Sequence, residues 1–274
     1  MSSPGQRQSV LRFERVTVSF DEQKALDDVS FELRQRESLV VFGAAGSGKT
    51  TLLKTALGLL KPDSGRVFVF GRDITDLKEQ DLFRIRSNIG MLFQEGGLFD
   101  SLTIEENVSY PLENLNGFHL TEEERRARSE EALRFVELEH TLDKFPSELS
   151  GGMRRRVGIA RAIVTEPKLV LYDSPTAGLD PITAFTIVAL IVKQRDLRGA
   201  ATVMVTHRYQ DAHFLATSRY RPETDQIETV SPTDNDVETT FLVLRDGRLV
   251  FQGTLAELEA SRDPYVEKFV KREE

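Results

Sequence analysis

Residues 43–50, Gly-Ala-Ala-Gly-Ser-Gly-Lys-Thr, carry the clearest chemistry in the chain. They fit Gly-x-x-x-x-Gly-Lys-[Ser/Thr]. Gly43, Gly46 and Gly48 let the backbone turn tightly and aim successive N–H groups, including those of Ala44, Ala45 and Ser47, at one point, which makes an anion nest. The helix that must follow, from Thr50 and Thr51 onward, points its positive end at the same place. In this arrangement Lys49 reaches the β- and γ-phosphates of a nucleotide and the Thr50 hydroxyl holds Mg²⁺. A second anchor stands at the end of the apolar run Lys168-Leu-Val-Leu-Tyr172, where Asp173 supplies the carboxylate for that Mg²⁺.

A second anion site lies about 100 residues further on, at Leu149-Ser150-Gly151-Gly152-Met153. Ser150 is placed to cap the following helix, and the two glycines let a phosphate approach the backbone. One nucleotide cannot easily touch both sites within a chain. The economical arrangement is a head-to-tail homodimer with ATP between the Gly-rich loop of one copy and the Ser-Gly-Gly turn of the other.

These residues need a scaffold, and its rhythm is readable. Residues 11–42 alternate apolar and polar positions, which predicts strands joined by a turn near Asp21–Lys24. The continuous run Leu39–Phe42 predicts a buried strand feeding the Gly-rich loop. Charges and helical spacing between about 95 and 165 predict an inserted helical subdomain. Strand Leu169–Tyr172, helix Ile182–Arg195 and strand Thr202–Val205 follow. The polar stretch 218–238, with its two prolines, reads as an irregular surface insertion. Asp246-Gly247 marks a hairpin tip, and the tail from 256 to 274 reads as helical. The predicted fold is α/β: a P-loop NTPase core over about 10–255 with an N-terminal antiparallel β subdomain.

The totals agree with that reading. Hydrophobic residues at 39% and charged residues at 29% suit a globular chain. The 44 acidic against 36 basic residues argue against nucleic acid as the main partner. The chain has no cysteine, which excludes disulfides, thiolate metal sites and Cys nucleophiles. No run of 18 apolar residues and no secretory h-region occurs, so a membrane role is expected through another protein.

The order and spacing of GAAGSGKT, Gln94, LSGGM, LVLYDSP, AGLD and His207 resemble those of ABC ATPases over about residues 11–255. The resemblance implies that Phe20 stacks on adenine and that Gln94 senses Mg²⁺ and contacts a membrane subunit. It further implies that Ser150, Gly151 and Gly152 clamp the γ-phosphate in trans, that Asp180 lies at the dimer seam, and that His207 contacts the γ-phosphate. Three stretches, LSGGM, FQEGGLFDSLTIEENVSYPLE and DPYVEKFV, look like the ATPase of Mla-type systems. That likeness implies ATP and Mg²⁺ as cofactors and a peripheral position on the cytoplasmic face of the inner membrane. It also implies an integral permease and an MCE-type lipid-binding protein as partners, moving phospholipid. The alternatives are a signalling subunit that gates a membrane partner with little turnover, and an ABC ATPase importing another substrate. Ribosome- or DNA-acting relatives fit poorly, because the chain has one ATPase unit and no sustained heptads.

One position departs from the pattern. Where the family has Glu after the strand-end Asp, this chain has Ser174. Serine is not a base near neutral pH, and losing a positioned base costs about 10²–10⁴ in rate. Three readings are open: slow hydrolysis leaning on His207 and Mg²⁺, an engineered trap for the ATP-bound dimer, or another carboxylate or a binding-driven cycle.

Overall fold

The computed structural model describes residues 7–115, 120–231 and 237–270. In chain order its elements are β1 (Ser9–Phe20), β2 (Gln23–Arg34), β3 (Ser38–Gly43), α1 (Lys49–Ala56), β4 (Ser64–Val69), β5 (Arg72–Asp73), α2 (Glu79–Arg86) and β6 (Ile89–Leu92). Then come α3 (Ile104–Asn114), α4 (Glu122–Phe135), α5 (Gly151–Ile163), β7 (Leu169–Asp173), α6 (Pro181–Arg198), β8 (Ala201–Val205) and α7 (Tyr209–Thr217). The last are β9 (Ser218–Arg221), β10 (Gln226–Thr229), β11 (Thr239–Arg245), β12 (Arg248–Gly253), α8 (Leu255–Ala260) and α9 (Pro264–Val270).

The predicted α/β architecture is present. A four-stranded antiparallel sheet, in the order β2-β1-β4-β5, lies beside a six-stranded sheet in the order β12-β11-β3-β8-β7-β6. The strands of the larger sheet from β11 to β6 run parallel. Its central strands β3, β7 and β8 are buried at every residue, as expected when both faces are covered. The alternation within β3 shows how. Val40 and Phe42 point into a core built with α3 to α7 and the C-terminal helices. Leu39 and Val41 point the other way, into a core shared with the antiparallel sheet, α1 and α2.

Parallel register places the functional loops together. Leu92 pairs with Tyr172, Asp173 with Val205, and Val205 with Val41. The loops that carry the Gly-rich sequence, Gln94, Asp173 and His207 therefore all leave one carboxyl edge of the sheet, where open α/β sheets bind ligands.

The stretch 218–238 corrects the expectation of an irregular insertion. Within it β9 and β10 pair antiparallel, from Gln226↔Arg221 to Thr229↔Ser218. The cause is docking on α6. Tyr220 is buried, its amide donates to Asp196 Oδ2 at 2.7 Å, and its hydroxyl donates to Asp225 Oδ1 at 2.7 Å. Lys193 on α6 bonds the same Asp225 oxygen at 2.9 Å and lies 4.9 Å from the Tyr220 ring. Residues 232–236 of that stretch and 271–274 of the expected helical tail lie outside the described residues.

Candidate nucleotide site

The Gly-rich loop joins β3 to α1 as the sequence predicts. Gly46 and Gly48 have φ of 77° and 103°, where side chains with a Cβ are strained. Gly48 has a second reason to be glycine: a Cβ there would stand 2.2 Å from Ala25 O on β2. Ala44, Ala45 and Gly46 are exposed, whereas Ser47 and Gly48 are buried. Lys49 Nζ lies in the mouth of the loop and donates to Gly43 O and Ala44 O, each at 2.7 Å. Burial pushes its ammonium below the ordinary value, and the Asp173 carboxylate pulls the other way.

Thr50 Oγ1 donates to Asp173 Oδ2 at 3.0 Å, which brings together two residues 123 positions apart. Asp173 is 5% exposed at the end of β7. A hydroxyl and a carboxylate at this spacing fit Mg²⁺, which takes few protein ligands and keeps waters and phosphate oxygens for the rest. Among the described residues no cluster of three or more His, Asp or Glu could hold a metal without a ligand's help. A cavity of about 350 Å³ opens beside the loop, walled by Phe20, Gln23, Lys24 and Ala25 and by Gly46, Gly48, Lys49, Thr50 and Thr51. Phe20 is 49% exposed there, so its ring face is available to a flat ligand.

The other expected residues take these positions. Gln94 is exposed and opens a short 3₁₀ turn directly after Phe93, beyond the end of β6. His207 is exposed one residue past buried Thr206, at the end of β8. Ser150 caps α5, its Oγ accepting from Met153 N at 3.2 Å. Asp180 caps α6, accepting from Ile182 N at 3.1 Å and Thr183 N at 3.0 Å. Its bonds to Thr183 hold the carboxyl below the usual carboxylate range.

The two signature glycines differ in what they leave open. A Cβ on Gly151 would find only ordinary contacts, the nearest at 3.9 Å. One on Gly152 would stand 2.6 Å from Thr183 Cγ2. Gly152 is thus small because α5 packs closely on α6, a reason separate from phosphate approach.

Ser174 sits with φ 49°, in the left-handed region that costs a non-glycine residue energy. Its Oγ donates to Asp173 Oδ1 at 3.2 Å, and its amide donates to Val205 O at 2.9 Å. Nothing in this environment makes its hydroxyl a base.

Three residues around the site escaped the sequence reading. Arg155 on α5 is 3% exposed and donates to Ser174 O at 3.0 Å and Ala177 O at 3.1 Å. Arg161, further along α5, donates to Gly96 O and Gly97 O, each at 2.9 Å. Burial pushes Arg161 down to about 10, so it stays charged at neutral pH and fixes the turn after Gln94. Asp211 on α7 is 5% exposed, accepts from the Thr176 hydroxyl and pairs with Arg208 Nε at 3.6 Å. Charged residues on amphipathic helices ordinarily face water, so no signal in the sequence marks these three as buried.

The sequence profile of the ABC transporter family matches residues 26–177. The methionine import ATP-binding protein MetN of Geobacillus kaustophilus is 37% identical over 249 residues, which is 90% of this chain and 66% of that protein. MetN of Carboxydothermus hydrogenoformans is 42% identical over 184 residues, 67% of this chain and 54% of that protein. The chain thus spans about half to two thirds of the length of these curated relatives. Among solved structures, the ATP-binding cassette MJ0796, in a dimeric post-hydrolysis state bound to ADP and Pi, superposes with a TM-score of 0.75 at 32% identity, covering 90% of this chain and 99% of that one. CbiO1 from Clostridium perfringens, part of the ABC transporter complex cbiONQ, gives 0.76 at 28% identity over 93% of this chain and 92% of that one. The two curated relatives named here carry methionine-import names, which gives the Mla-type likeness no support.

Proposed function

This chain belongs to the ABC transporter family, and from that premise we propose that it is the ATP-hydrolysing subunit of a transporter that imports a small solute. The observation that carries the reading is the contact between Thr50 and Asp173 at the mouth of the Gly-rich loop. It joins the two halves of a nucleotide site that the sequence keeps 123 residues apart.

The residues divide the work. Phe20 offers a ring face to the adenine. The amides of residues 46–51 and the α1 N-terminus receive the phosphates, and Lys49 neutralises the terminal ones. Thr50, Asp173 and Gln94 would hold Mg²⁺, which when bound would neutralise charge on the phosphate oxygens. Ser150 and Gly151 serve the nucleotide of a second copy, and Asp180 lies at the seam between copies. His207 bonds the γ-phosphate from the end of β8. Ser174 leaves the attacking water without a carboxylate base, so turnover rests on positioning and charge, which dominate phosphoryl transfer.

One feature supports a membrane partner, while no described helix is itself long and apolar enough to cross a membrane. Beside Gln94 lies an apolar groove of about 480 Å³, where Phe93, Phe99 and Tyr110 are 40–43% exposed. That groove suits an amphipathic segment of a permease, which would place the chain peripherally at the membrane. The names of the relatives favour import of a solute such as an amino acid. A second reading, phospholipid transport with an MCE-type partner, keeps the support of LSGGM, FQEGGLFDSLTIEENVSYPLE and DPYVEKFV.

Steady-state ATP hydrolysis by the purified chain, beside Lys49→Ala, tests the ATPase. We expect turnover above that variant, and equality with it sinks the reading. Co-purification with the permease and reconstitution into vesicles then separates the two substrates. ATP-driven uptake of labelled methionine supports import, and movement of labelled phospholipid alone supports the second reading. A photo-cross-linker at Phe99 should capture the permease; capture of soluble proteins alone would exclude this groove as the docking site.

A further inference from the structure

The C-terminal helix α9 reaches the phosphate loop through one side chain. Tyr265 Oη accepts from Ala44 N at 3.2 Å and donates to Leu244 O at 3.1 Å. Leu244, the last residue but one of β11, pairs in register with Gly43 of β3. The approach there is close, since a Cβ on Gly43 would stand 2.7 Å from Leu244 O. A single hydroxyl therefore bridges the first peptide of the loop to its neighbouring strand.

The helix is itself fixed. Asp263 Oδ1 accepts from Tyr265 N at 2.7 Å, and Val266 is fully buried. The Phe269 ring lies edge-on to Tyr265 at 5.3 Å and stacks on Phe42 at 5.8 Å. Contacts from α9 thus flank Gly43 on both sides, at Phe42 before it and at Ala44 after it. Ala44, Ala45 and Gly46 of the loop are small and exposed, and the loop is also tied from outside by Gly247 N donating to Ser47 O at 3.3 Å.

We infer that Tyr265 is a positioning residue for nucleotide binding: its hydroxyl fixes the Ala44 peptide and thereby sets the opening of the loop whose later amides receive phosphate. This rests on the nucleotide-binding reading above. The Ala44 N–H donates to Tyr265 and so, against the expectation from the sequence, is not one of the amides left to receive phosphate; the effect passes through loop geometry and not through contact with ligand. A loop that must be ordered on binding holds its ligand less tightly than one already ordered.

The test is Tyr265→Phe in the full chain, which keeps the ring and removes only the bridge. Three quantities are compared with the parent: Kd for Mg-ATP and Mg-ADP by calorimetry, amide exchange in peptides covering 43–49, and the melting temperature without nucleotide. One lost hydrogen bond should raise both Kd values about threefold to tenfold. Exchange across the loop should quicken while the melting temperature moves by less than about 3 °C. Kd values within about 1.5-fold of the parent overturn the inference. So does a lower melting temperature with unchanged Kd, because Tyr265 would then serve the fold alone. Lys49→Ala separates this from the parent reading: if the unmodified chain binds ATP no better than Lys49→Ala, the nucleotide reading falls, and the inference with it.

Discussion

Ser174 faces the carboxylate of Asp173 and is held by its amide and its carbonyl, so the backbone that would present a base is in place while the base is missing. Ser174→Glu should raise kcat by about 10²-fold or more, with KM for ATP changing little, because a positioned base acts in the transition state. Steady-state assays decide it, and no gain over the parent would mean that another group already orients the water. Asp211 gives a prediction in pH. Burial raises its carboxyl above the ordinary carboxylate range, against the pull of the Thr176 hydrogen bond and of Arg208. A folded-state pKa above the unfolded one means that the ionised form costs stability above that pKa. The cost fades as pH falls through it. Asp211→Asn keeps an acceptor for Thr176 and removes the charge. Its melting temperature minus that of the parent should therefore be greatest near neutral pH and decline as pH falls toward about 4; parallel melting curves would refute this. Neither Asp211 nor Arg155 was visible in the sequence, because their burial comes from packing between α5, α7 and the loop after β7. The Gly-rich loop and Asp173 were visible because each follows a short apolar run that reads as a buried strand, whereas His207 was marked only by the family resemblance.

The loop after Gln94 is ordered by α3. Asn107 is fully buried there, with Oδ1 accepting from Phe99 N at 2.8 Å and Nδ2 donating to Phe99 O, Leu102 O and Thr103 O between 2.9 and 3.1 Å. Asn107→Leu fills the volume but orphans the Phe99 N–H, and should cost about 2–3 kcal/mol in a urea melt. A loss under about 0.5 kcal/mol would show that water replaces the side chain. The helices themselves were legible from spacing; the structure adds that Thr103 and Thr121 each cap a helix with a Glu three residues on. The β9–β10 hairpin was not. Its strands have four residues each and few apolar positions, so alternation had nothing to register, and its stability comes from Lys193, Asp196 and Tyr220 meeting across the fold.

The architecture puts one chemistry on one rim. The apolar cluster at the N-terminus of α6, Ile182 at 81% and Phe185 at 56% exposed, adjoins Asp180 and suits coverage by a second copy. Phe185→Glu should weaken ATP-driven dimerisation in light scattering by about tenfold while leaving the monomer's melting temperature unchanged; equal dimerisation would place the seam elsewhere. The opposite rim of the large sheet, where the turn between β2 and β3 exposes Gln35, carries none of the site. Because the chain has no cysteine, Gln35→Cys would offer a lone thiol for a fluorophore or a surface tether. Single molecules could then be watched while both the nucleotide mouth and the face for a second copy stay open to solution.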